Sequence, residues 1–250
     1  AGSTATLLIE YLDGSTFQEI IINADRELLA EAMGNIQRTI RAVWTRTAEV
    51  TPTRPRFIDQ LERRIGDVYN VHPHFTRHPQ RIGGLQIPDF SVLLEQNRHL
   101  DEELAAPLSV FGHGDFNLDN IIYNREQKTV HYIDLHRSGA MDYALDMSVF
   151  LVSNYRLPVF DRTVRARLQA VINSFYDFSR EFAAEHGDES FDARLSLGLA
   201  RSFATSTRFE VDRGFAENML WRASYLLERL SAHHGQPWSE FIMPQEVLLD

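Results

Sequence analysis

Leu29, Met33, Ile36, Ile40 and Val43 recur at three- and four-residue steps after the polar start NADRE. That spacing puts them on one stripe and predicts an amphipathic helix with one buried face. Upstream, TATLLIEYLDGSTF is an apolar run that ends at Asp13-Gly14, the pattern of a strand and a turn. Downstream, TPTRPRF is a Pro-broken connection, FIDQLERRIGDVY reads as helix, and VHPHFTRHPQRIGGLQIP reads as a long loop rich in Pro, His and Gly. Residues 90–104 again read as helix. The period then changes: SVF, IIY and VHYIDL are short β-type runs, separated by a polar loop and by the turn NREQKT. From Asp142 the helical pattern returns. Val164, Leu168, Val171, Phe175 and Phe178 mark one buried face, and Phe215, Met219, Ala223, Leu226 and Leu230 mark another. The expected fold class is therefore mainly α with a small β island near the middle of the chain.

Composition bounds what this chain can do. Its 250 residues, 44% hydrophobic and 11% aromatic, can build a real core. The formal net charge of -10 makes the surface a poor match for a nucleic-acid backbone and a better one for a small cationic partner. No Cys is present, which excludes disulfides and Cys-ligated zinc. No run approaches the roughly 20 apolar residues of a membrane span, and no basic-then-apolar signal order opens the chain. A cytoplasmic protein without membrane partners is expected. Among the 25 basic residues only Lys128 is lysine, so chemistry that needs a lysine has one candidate.

The polar loop lies in FGHGDFNLDNIIY, residues 111–123, with one His, two Asp and two Asn in nine positions. Phosphoryl transfer to a hydroxyl needs a carboxylate facing the hydroxyl proton and oxygen ligands that hold magnesium against nucleotide phosphates. Magnesium keeps several waters, so one carboxylate and one amide carbonyl suffice from the protein. Asn120 follows Asp115 by five residues, and Asp134 ends the returning apolar run. A strand, loop, strand, turn and strand bring the start of the loop beside the end of the hairpin, so Asn120 and Asp134 can share a metal that Asp115 faces.

His113-Gly114-Asp115 with Asn120, then Ile133-Asp134-Leu135, then Asp142 and Asp146, resemble the ordered motifs HGDxxxxN, IDxxx and GDPxxDLA of the aminoglycoside phosphotransferase and choline kinase family. The pattern departs at Ala140-Met141, where the family has glycine before the Asp, and at Tyr143, where it has Pro. The resemblance implies Asp115 as catalytic base, His113 as support of the loop, and Asn120 and Asp134 as ligands of the magnesium that carries the nucleotide. Glu10 and Leu12 would then lie on the hinge, where the backbone contacts the purine. Asp146 would steady the catalytic loop from below, while Asp142 reads equally well as a helix cap.

On this resemblance, residues 1–22 are a hinge strand and linker, and 23–250 are the C-terminal lobe of a protein-kinase-like fold. That lobe carries the catalytic loop 111–123 and the metal-binding strand end 130–135. The glycine-rich hairpin and the paired strand lysine of the small lobe are not seen in the sequence. The expectation is an absent N-terminal lobe, encoded upstream or lost, and an isolated chain with little activity. The implied function is transfer of the γ-phosphoryl group of ATP or GTP to a small-molecule hydroxyl, such as that of an aminoglycoside, choline or a sugar.

Two other classes stay open: a non-catalytic nucleotide-binding or regulatory module, and a metal-dependent hydrolase built on Asp115 and Asp134. GxSxG and HExxH hydrolase motifs do not occur. The cluster His72, His74 and His78 reads as a solvated Pro-rich loop rather than a metal site. Acceptor contacts are expected from the helices after Asp142, with Glu210, Asp212 and Glu217 as candidates.

Overall fold

The computed structural model describes residues 10–76 and 88–249, with backbone alone at Arg81–Ile82 and Leu85–Gln86. Strand β1 (Ser15–Thr16) leads into α1 (Phe17–Asn23), α2 (Arg26–Thr47) and α3 (Phe57–Val71). A short hairpin of β2 (Arg81–Ile82) and β3 (Leu85–Gln86) precedes α4 (Phe90–Asn97) and α5 (Leu100–Glu103). The β island holds β4 (Val110–Gly112), β5 (Ile121–Asn124), β6 (Thr129–Tyr132) and β7 (Gly139–Met141). The remainder is α6 (Tyr143–Tyr155), α7 (Arg162–Glu185), α8 (Phe191–Ser206) and α9 (Arg213–His233). The chain is mainly helical with small sheets, as its periodicity predicts.

The expected hinge and linker over 1–22 take a different form where they can be seen. Residues 4–9 of the expected strand lie outside the described residues, and 10–14 have no regular structure. From Phe17 the chain is already helical. Thr16 and Glu19 form a reciprocal capping box that starts α1, and Phe17, Ile20 and Ile21 are buried. The cap and the apolar spacing against the core thus turn the end of the expected linker into helix.

Helix α2 begins at Asp25, whose side chain accepts from the Leu28 amide, and buries Leu29, Ala32, Ile36, Ile40 and Trp44. The stripe is the predicted one rotated slightly, with Met33 at its edge. The expected helix over 90–104 is broken in two, because Arg98 and His99 turn between α4 and α5. The long loop of 71–88 contains the β2–β3 hairpin, paired Arg81 to Gln86 and Ile82 to Leu85.

Two small sheets flank the polar loop. β1, β5 and β6 form an antiparallel sheet in the order β1-β5-β6, and β4 pairs antiparallel with β7, Gly112 opposite Gly139. Below them Phe116 stacks on Phe150 of α6 at 5.4 Å, and Phe150 meets Phe175 of α7 at 4.1 Å. These rings are nearly or fully buried, and each contributes roughly 1.5–3 kcal/mol of burial. The loop is thus pinned to the helical core through its own Phe116 and Leu118.

Candidate active site

The backbone of the loop is fixed from below by one carboxylate. Asp146, one turn into α6 and 3% exposed, accepts from the His113 amide at 2.6 Å and from the Gly114 amide at 2.8 Å. Burial raises the Asp146 carboxyl above its ordinary range, and the two amide bonds oppose that rise. The glycines on either side of His113 follow from this approach. A Cβ at Gly112 would strike Met141 and the Asp146 carboxylate. At Gly114 the backbone has φ +81°, and a Cβ would run into the Arg137 carbonyl.

His113 is buried, and its Nδ1 accepts from the Asp115 amide at 3.3 Å, which places the ring proton on Nε2. The Asp115 carbonyl accepts from the Asn117 amide at 2.8 Å and from Asn120 Nδ2 at 2.9 Å. Asn117 caps the short turn Leu118–Asn120 by accepting from the Asp119 and Asn120 amides. With its NH2 group committed to Asp115, Asn120 has its amide oxygen available as a hard ligand.

The β5–β6 hairpin brings in the next carboxylate. Ile121 pairs with Tyr132, and one step further the Ile133 amide donates to the Asn120 carbonyl at 3.1 Å. Asp134 follows immediately in the left-handed conformation, φ 60° and ψ 48°, an uncommon backbone for a non-glycine residue. One of its oxygens lies 2.7 Å from His136 Nδ1. Asn120 and Asp134 therefore flank one hairpin end, and their donor set, one carboxylate and one amide oxygen, fits magnesium.

Arg137, three residues past Asp134, donates from Nη1 to Asp115 Oδ2 at 3.1 Å. The sequence reading did not single it out. Beyond it lies a cavity of about 300 Å³ lined by Asp115, Arg137, Arg64 of α3 and Arg201 of α8, with Arg156 and Arg208 further along. Arg201 is 6% exposed, and its Nε and Nη2 have no hydrogen-bond partner among the described residues. Burial first, and then the neighbouring Arg64 and Arg137, push its guanidinium down to about 9 against the pull of Asp115 and Asp146, so it stays cationic near neutrality. The signal available in the sequence was an arginine inside the apolar run LGLARSFAT.

Other expected residues are placed elsewhere. Glu10 and Leu12 fall in the irregular segment before β1, and the nearby Asp13 carbonyl accepts from Asn124 at 3.2 Å, at the turn end of the hairpin. Neither lines the cavity beside Asp115. Asp142 caps α6 through the Ala144 amide and pairs with the buried Arg194 at 2.8 Å. Lys128 lies on the β5–β6 turn, 3.2 Å from Glu31. Of the three acids considered for acceptor contact, Glu210 pairs with Arg156 at 2.7 Å, Asp212 caps α9, and Glu217 meets Arg213 and His74. His72 is buried, with Nε2 2.8 Å from the Thr207 carbonyl, which corrects the reading of a wholly solvated histidine loop; His78 lies outside the described residues. Among the described residues, no helix is long and apolar enough to cross a membrane.

No curated protein matches the chain significantly. Among solved structures it is similar to a glucosamine kinase in complex with glucosamine, ADP and inorganic phosphate, at 18% identity and TM-score 0.49, covering 86% of this chain and 55% of that one. A second crystal form of glucosamine kinase gives 17% identity and TM-score 0.49, with 87% and 57% covered. A Plasmodium vivax ethanolamine kinase gives 12% identity and TM-score 0.43, with 87% and 63% covered. The chain thus spans little more than half the length of the glucosamine kinases it matches. The model of the phosphotransferase enzyme family matches residues 2–186, a stretch that holds the His113 loop, the Asn120–Asp134 hairpin end and the Asp146 clamp, and the chain belongs to that family.

Proposed function

We propose that the chain is the helical lobe of a small-molecule kinase with a protein-kinase-like fold, which transfers the γ-phosphoryl group of ATP or GTP to an acceptor hydroxyl. The observation that supports this reading is the bond from the Asn120 side chain to the Asp115 carbonyl, at the hairpin end where Asn120 meets Ile133 next to Asp134, on a loop clamped by Asp146. Asp115 Oδ1 is the proton acceptor, since Oδ2 is already bonded to Arg137. The acceptor O–H gives its proton to Asp115, its oxygen bonds to the γ-phosphorus, and the bond from that phosphorus to the β–γ bridging oxygen breaks. The nucleoside diphosphate leaves with that electron pair.

Asn120 and Asp134 would hold magnesium, which when bound neutralises charge on the nucleotide phosphates. His113 is a positioning residue: it receives the Asp115 amide and so fixes the loop's curvature. Glu10 and Leu12 remain the proposed purine contacts. The phosphates need further donors, and Lys128 is engaged with Glu31 at the hairpin turn. An N-terminal lobe is their proposed source, and these residues alone are expected to turn over little substrate. The reading places the protein in the cytoplasm with its nucleotide.

Asp115→Ala in the full-length protein is expected to lower transfer by roughly 10²–10⁴-fold, the range for a positioned acid or base, while circular dichroism and the melting midpoint stay close to wild type. Unchanged turnover would sink the assignment. Release of phosphate without any acceptor alcohol would instead indicate a hydrolase. Nucleotide binding without turnover, insensitive to Asp115→Asn, would indicate a regulatory module.

A further inference from the structure

The cavity next to Asp115 has a charge opposite to that of the whole protein. Five arginines line it against one carboxylate, Asp115. Asp115 is bonded to Arg137, and Arg156 is paired with Glu210 just outside the lining. Arg64 is half-buried with no ion pair among the described residues, and Arg208 lies over the Phe209 ring at 4.5 Å. Arg201 lies over the Phe57 ring at 5.6 Å, with Nε and Nη2 buried and unpartnered. A guanidinium removed from water without an acceptor is costly, and a native structure rarely keeps one unless ordered water or a ligand completes it.

The position of the cavity says which ligand that is. Its walls come from α3, α6, α8 and the turn after α8, and neither Asn120 nor Asp134 is among its lining residues. It includes Asp115 but neither proposed metal residue, so an acceptor rather than the nucleotide is the ligand that suits it. Resting on the kinase reading above, we propose that the acceptor carries an anionic group, a phosphate, sulfate or carboxylate, which Arg64, Arg201 and Arg208 hold while its hydroxyl faces Asp115. Planar guanidinium forks suit such oxyanions through paired N–H bonds. The net charge of -10 had favoured a cationic acceptor; the local field at the site favours the reverse.

The test is a binding measurement on the full-length protein at fixed ionic strength, by titration calorimetry and thermal shift. Glycerol 3-phosphate and 3-phosphoglycerate serve as anionic probes, and glycerol and glucosamine as their neutral and cationic counterparts. The anionic probes are expected to bind at least about tenfold more tightly than the counterparts, and Arg64→Gln and Arg208→Gln each to weaken them about tenfold or more. Arg201→Lys serves as a third variant that keeps the buried charge while removing the planar fork. Asp134→Asn is expected to leave probe affinity unchanged, and Mg·ADP not to compete. Competition by Mg·ADP together with sensitivity to Asp134→Asn would mean that the arginines hold a nucleotide phosphate, and would overturn the proposal. Failure of both anions to bind selectively, or equal binding to all three arginine variants, would overturn it as well. Phosphoryl transfer confined to neutral or cationic acceptors would refute this inference and leave the kinase reading standing. Selective anion binding with no transfer to any hydroxyl would do the opposite.

Discussion

At the scale of single residues, Asp146 shows how a buried carboxylate can be structural in a site whose chemistry belongs to its neighbours. Its two oxygens take the His113 and Gly114 amides at 2.6 and 2.8 Å, so the turn that presents Asp115 is held through its backbone by a side chain of α6. Asp146→Ala would leave both amides buried without acceptors, at about 1–3 kcal/mol each. The expected loss is roughly 2–5 kcal/mol in urea unfolding, with hydrogen exchange at these two amides rising further than at the α8 core. Asp146→Asn keeps one acceptor oxygen and should cost less. Equal exchange at the two amides in wild type and Asp146→Ala would show that another group holds the loop. The sequence made this residue legible because a carboxylate inside ALDMSVFLV needs donors. Arg137 was less visible: an arginine three residues past Asp134 on an exposed turn reads as a solvated charge until the fold sets it against Asp115.

At the scale of elements, the β5–β6 hairpin is what makes Asn120 and Asp134 neighbours, and α2 holds that hairpin through a buried phenol and, at its turn, the Lys128–Glu31 pair. Tyr123 is 1% exposed, donates to Glu31 Oε1 at 2.6 Å and accepts from Asn35 Nδ2 at 3.0 Å. Burial and the Glu31 carboxylate push its phenol up to about 12. A phenol raised above its ordinary value of about 10 gives stability that is fully present below pH 10 and is lost as pH climbs toward 12. The stability gap between wild type and Tyr123→Phe, followed by denaturant midpoints at a series of pH values, is therefore expected to narrow across that window. A gap that stays constant through it would show that the phenol is not coupled to the hairpin. The hairpin was readable from IIY and VHYI around NREQKT, because alternation and turn chemistry are local. The helical start at Phe17 was not, because FQEIIIN is too short to show a helical period and only the capping box of Thr16 and Glu19 marks its start. The break between α4 and α5 likewise depends on packing that no local pattern encodes.

At the scale of the whole molecule, the helices after Asp142 join residues that the sequence keeps far apart. Four of the five arginines lining the cavity beside Asp115 come from α3, from the turn after β6, from α8 and from the turn after α8. Apart from Arg201, which sits in an apolar run, each alone reads as an ordinary surface charge, so a cationic cavity in a protein of net charge -10 could not be seen from composition. A second arginine of α8 ties the same helix to the start of α6. Arg194, fully buried, bonds Asp142 at 2.8 Å and Asp188 at 2.6 Å, while Tyr143 donates to the same Asp188. Burial alone would lower the Arg194 guanidinium, yet Asp142 and Asp188 together hold it well above its ordinary value. Such a pair costs much of its attraction in desolvation, so its presence is weak evidence of net stability, but removing one member strands the others. Arg194→Met is accordingly expected to destabilise the fold by about 3–5 kcal/mol, measured by urea unfolding. Adding Asp142→Asn and Asp188→Asn should recover part of that loss by discharging the stranded carboxylates. If Arg194→Met costs less than about 1 kcal/mol, or if the added substitutions only deepen the loss, the carboxylates are being satisfied by something other than Arg194. Because Asp142 caps the helix that carries Asp146, loss of this network should also loosen the His113 loop, and the amides of His113 and Gly114 provide the readout for that coupling.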